Sequence, residues 1–150
     1  MDLTKVSRND WIVVAGAVLM FIGSLLPWYG VSVEFAGMKV VGDSWNGWHF
    51  SYLGWLTAFL CVAAAALVVT RALRIFRFEL PVPDALLVMA AGGLSTLIVL
   101  VRMVVQPDFA DLRWGIFIAL LGALAVAGGG FMKNAEPASQ GFADQNPFTE

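Results

Sequence analysis

Few side chains in this sequence could do chemistry, and they stand apart from one another. The 150 residues contain one cysteine, Cys61, and one histidine, His49. Thiol–disulfide chemistry passes electrons between paired cysteines, and Cys61 has no second cysteine to pair with. It also sits within an apolar run, where burial disfavours the thiolate, so its expected role is packing. His49 together with Asp43 and Glu34 would form only a weak metal set, lacking the further histidines or cysteines of zinc sites. A polar group beside tryptophans at a membrane surface is the expectation for His49. No nucleophile–base pair stands out. The chain reads as non-enzymatic, with no catalytic residue, cofactor or metal.

The remaining polar candidates are arginines. Arg102 and Arg113 bracket Asp108 and Asp111 in the stretch RMVVQPDFADLR. One reading is a local ion-pair set that closes the loop. The other is capture of an anionic headgroup or carboxylate by Arg102, with Trp28 or Trp114 alongside. A second basic cluster, Arg71, Arg74 and Arg77, recurs every three residues, so a helix would carry these residues on one face into a headgroup layer. They are candidate contacts for anionic lipid.

The elements that must position these groups are apolar. The chain is 59% hydrophobic and 13% charged, against about 25% charged in ordinary soluble domains. Four uncharged runs, residues 11–28, 53–70, 85–101 and 114–132, account for the excess. Each is close to the ~17–25 residues that cross about 30 Å of hydrocarbon as a helix. Helices are required because backbone groups in lipid must bond within their own segment. The expected fold class is therefore all-α integral membrane, a four-transmembrane-helix bundle. The first run exceeds a secretory signal core and is followed by bulky Leu26-Pro27-Trp28-Tyr29, so it is expected to be retained. Lys5, Arg8, Arg71, Arg74, Arg77 and Lys133 fall on one side, and Lys39, Arg102 and Arg113 on the other. That bias predicts a multi-pass cell-membrane protein with both termini cytoplasmic. Nucleic-acid binding lacks a basic surface to support it.

Between the first two helices, Val31, Val33 and Phe35 alternate with Ser32 and Glu34, and Met38 and Val40 repeat the pattern around Lys39. With Ala36-Gly37 between the runs, a small extracellular β-hairpin is predicted. It leads into DSWNGWHFSYLGW, whose tryptophans suit an interfacial belt. Trp28, Trp45, Trp48 and Trp55, with Arg102 and Arg113, are the candidate partner or lipid interface. Ser7 and Asp10 predict a capping box for the first helix, and Asp84 an N-cap for the third. Gly115, Ala119, Ala123 and Ala127 form a small-residue stripe suited to helix packing, echoed by Gly54, Ala58 and Ala66 in the second helix. The tail, residues 133–150, is polar and reads as a flexible cytoplasmic segment.

Two resemblances can be drawn. LPWY, an external hairpin, WNGW…LGWL, an alanine-rich helix and an arginine closing the third helix resemble small four-helix membrane proteins of actinobacterial type. That likeness spans roughly residues 11–132 and implies the fold, without a site. Trp28 and WNGW, at their separation, also resemble the layout of claudin-like tetraspan proteins, without that family's two loop cysteines. The expected function is an accessory or assembly subunit, or a self-associating scaffold. Its partners would be membrane lipids, further copies of the chain or other membrane proteins. The alternative is an oligomeric channel or a small-molecule or lipid carrier that depends on Arg102.

Overall fold

The computed structural model describes residues 4, 6–49, 52–75, 80–106, 108 and 110–135. The first helix, α1 (Arg8–Leu25), starts where the sequence predicts a cap. Ser7 Oγ accepts from the Asp10 N–H at 3.2 Å, and Asp10 Oδ2 accepts from the Ser7 N–H at 3.1 Å. This reciprocal box satisfies two of the donors a helix N-terminus leaves open. The helix stops at Leu25, three residues short of the predicted end. Leu26 is extended (φ −72°, ψ 157°), because the ring of Pro27 crowds the helical conformation of the residue before it. Pro27 and Trp28 therefore open a strand, β1 (Pro27–Phe35), paired antiparallel with β2 (Met38–Asn46). Then follow α2 (Tyr52–Ala72), α3 (Asp84–Val104), a two-residue strand β3 (Asp111–Leu112) and α4 (Trp114–Ala135). The predicted hairpin is thus part of a three-stranded sheet, ordered β2-β1-β3.

All four helices are long and apolar enough to cross a membrane. They form a ring in which α4 packs most extensively, against α1 on one side and α3 on the other, while α2 bridges α1 and α3. Small residues set this hierarchy. A Cβ at Gly23 would lie 2.5 Å from the Ala119 backbone nitrogen, and one at Gly130 would lie 2.6 Å from that of Met89. Gly122 meets the Met20 backbone in the same way, and Gly92 meets that of Ala127. Ala119 and Ala123 of the predicted stripe are fully buried, Gly115 is buried against Leu26 and Pro27, and Ala127 is half-buried. Such close backbone approach maximises dispersion contact between the helices. By contrast α2 is flanked by two open apolar grooves, of about 440 Å³ towards α3 and about 340 Å³ towards α1.

Ion pairs tie the helix ends opposite the sheet. Lys133 Nζ lies 2.7 Å from Asp10 Oδ1, so Lys133, assigned to the polar tail from sequence, belongs to α4. Arg71 Nε lies 3.2 Å from Asp84 Oδ2. Asp84 does not cap α3 as predicted. The cap position is Pro83, with no side-chain bond, and the Asp84 carboxylate reaches across to α2 instead. Arg77 and residues 136–150 lie outside the described residues.

Candidate functional site: a tryptophan-anchored hairpin

The sheet sits over the helix ends at which α1 and α3 finish and α2 and α4 begin. Its base is locked to the bundle by aromatic side chains. Trp28 is 1% exposed, and its indole N–H donates to the Gly23 carbonyl at 2.7 Å. Gly47 lies flat on the Trp28 ring, where a Cβ would come within 2.7 Å of it. Gly54, at the start of α2, rests on the Gly47 carbonyl with no room for any side chain. The glycines of WNGW and LGW are thus present for close packing, and only glycine permits it.

Ser24, the polar side chain near the end of α1, ties that helix to the Gly47-Trp48 loop. Its hydroxyl donates to the Phe21 carbonyl at 2.6 Å and accepts from the Trp48 indole N–H at 3.1 Å. Its carbonyl accepts from the Gly47 N–H at 3.2 Å.

The other flank of the base is closed by β3. Tyr29 pairs with Leu112 and Gly30 with Asp111, and the Arg113 N–H donates to the Trp28 carbonyl at 2.8 Å. Tyr29 is buried, and its hydroxyl donates to the Arg102 carbonyl at 2.7 Å. Burial pushes the Tyr29 phenol pKa above its ordinary value, and the Arg102 charge partly offsets this. Ser32 Oγ donates to the Asp111 carboxylate. The Arg113 guanidinium lies over Gly30, its Nε buried and unpartnered among the described residues. Among the described residues no ion pair joins Arg102, Asp108, Asp111 and Arg113. Asp111 is taken by Ser32, and Arg102 contributes its backbone carbonyl.

Of the candidate interface residues Trp28 is buried and has no surface to offer a partner. Trp48 is bonded to Ser24 yet remains exposed. Trp45 lies in β2, its ring stacked on that of His49 with centroids 6.2 Å apart. The pair borders a cleft of about 250 Å³ shared with Leu25, Pro27, Ser44 and Asn46. Trp55 meets Phe59 edge-to-face at 5.6 Å and, like Tyr52 and Trp114, remains exposed at a helix start, where an interfacial belt would place it. Among the described residues no three metal-ligating side chains gather.

The tip of the hairpin is the opposite case. The turn is two residues long, Ala36 and Gly37, both at positive φ (54° and 77°), as the twist of a tight hairpin requires. Val33 pairs with Val40 and Phe35 with Met38, so these four apolar side chains share one face. The alternate pairs, Glu34 with Lys39 and Ser32 with Val41, occupy the other. The apolar face is uncovered, with Phe35 75% and Met38 72% exposed. Among the described residues the outer edge of β2 has no strand beside it, nor has β1 beyond Gly30. The alternation marked these residues as a strand. A missing partner for that strand's apolar face would have marked them as a surface. No protein-family model matches the chain, and no curated protein matches it either.

Proposed function

We propose that the chain spans the cell membrane four times with its termini in the cytoplasm. In this reading it is a non-catalytic scaffold or accessory subunit, and its hairpin docks on another membrane-protein chain, a second copy of itself included. The observation that carries this is the uncovered apolar face of Val33, Phe35, Met38 and Val40 on a hairpin whose base is fixed. Apolar surface on the helices is accounted for by lipid. The hairpin tip lies beyond the helix ends, and apolar area left in water there forgoes about 25 cal/mol per Å². Contiguous patches of that kind mark interaction sites, and open strand edges offer backbone pairing to a partner. A channel or carrier acting through Arg102 has less support, since that residue's described contact is the backbone bond from Tyr29.

Photo-crosslinking in native membranes tests the proposal. A crosslinker at Phe35 or Met38 should give one adduct of defined mass, either twice the chain or the chain plus one subunit. Placed at Glu34, on the opposite face, it should give far less. Equal yields from both faces, or lipid adducts alone, would refute docking through this surface. Lys39→Cys should react with a membrane-impermeant maleimide on intact cells, and protection there would reverse the orientation.

A further inference from the structure

The groove between α2 and α3 is lined by Leu60, Ala63 and Leu67 on one side and Leu87, Ala90 and Leu94 on the other. It begins near the middle of α2 and ends one turn before Arg71. From Leu60 to Arg71 the helix rises about 16 Å, close to half of the ~30 Å hydrocarbon layer. The groove therefore matches one leaflet, the one on the arginine side.

Beyond its end, two arginines stand at the finish of α2, Arg71 and Arg74. Arg71 is fixed between the two helices by its pairing with Asp84 at 3.2 Å. Arg74 is exposed and held at φ +52°. Its N–H donates to the Arg71 carbonyl at 3.1 Å, and the Ile75 N–H donates to Thr70 at 3.1 Å. This is the helix-ending position that glycine normally fills, because a Cβ is disfavoured there. An arginine at that position gives up helix-cap stability and leaves a second basic residue three positions after the first at the same helix end. Asp84 neutralises one of the two.

We propose that the groove and its mouth bind one anionic phospholipid, an acyl chain lying along the alanines and the phosphate on Arg71 and Arg74. The inference rests on the proposed membrane embedding and is independent of what the hairpin docks on.

The test is native mass spectrometry of the purified chain after exposure to equal amounts of phosphatidylglycerol and phosphatidylcholine. The wild-type chain should retain one phosphatidylglycerol in preference. Arg74→Gly relieves the left-handed backbone and so should fold at least as well, yet its preference should fall about fivefold, the effect of one surface cation on an anionic lipid. Arg74→Lys should keep most of the preference. Ala90→Phe, filling the groove, should lower retention of both lipids. Equal retention of the two lipids by the wild-type chain, or an unchanged preference in Arg74→Gly, would overturn the proposal. A chain that stays soluble without detergent would overturn the membrane embedding itself, a distinct failure.

Discussion

The two ends of one hairpin have opposite fates. At the base, Trp28, Tyr29 and Gly47 are buried, and each is held by contacts from other segments. At the tip, Phe35 and Met38 touch little but each other across the turn. The base has the aromatic density that first draws the eye, yet it is the joint between cap and bundle. The tip looks like an ordinary amphipathic strand pair, yet it is the surface with nothing on it. A concentration of tryptophan marks where a small sheet is fastened, and an unmatched apolar face marks where it can reach another molecule. An isolated two-stranded hairpin is marginal in water, so the fastening is what allows the tip to project at all.

Substitutions should separate the two ends. The largest effect is expected at Gly54, where a methyl group would drive into the Gly47 carbonyl. Gly54→Ala should cost about 3 kcal/mol, read as a lowered denaturation midpoint in detergent and protease cleavage in the hairpin. Trp28→Phe leaves the Gly23 carbonyl without its donor and opens a void beneath Gly47. A loss of about 2 kcal/mol is expected. Tyr29→Phe removes one buried bond to Arg102, for about 1 kcal/mol, and it also changes the response to alkali. Burial raises the phenol pKa in the folded chain, so above about pH 10 the unfolded phenol ionises first. The stability it contributes is complete below that pH and declines as pH rises towards the folded value. Tyr29→Phe should flatten that decline in a pH series of denaturation midpoints. The smallest effect on folding belongs to the tip. Phe35→Ser with Met38→Ser should shift stability by no more than about 0.5 kcal/mol while abolishing the tip-dependent crosslink. If the tip pair instead unfolded the cap, the division between fastening and docking ends would fail.

Much of this was legible in the residues. Four long uncharged runs gave the helices, Ser7 and Asp10 gave the first cap, and Ala36-Gly37 gave the turn. The end of α1 was legible too, because Leu26 precedes a proline, but the continuing apolar run argued the other way. β3 was out of reach. Asp111–Leu112 has no alternation of its own, and it pairs with Tyr29 and Gly30, residues distant in the chain. Hydropathy likewise cannot tell a tryptophan facing lipid from one buried beneath a strand, which is why Trp28 looked like surface. Gly47 reads as turn chemistry and Gly54 as part of a helix-packing stripe, and only their spatial neighbours show that the two glycines meet each other.

The close fit of α1 on α4 also sets an order of events. Gly23 and Gly16 of α1 have their counterparts in the helix made last of the four, and β1 needs β3 and Arg113, which directly precede that helix. Contacts so distant in sequence form slowly and late. During synthesis, the first helix and its hairpin must therefore wait, with their small-residue face unclaimed, until the fourth helix leaves the ribosome.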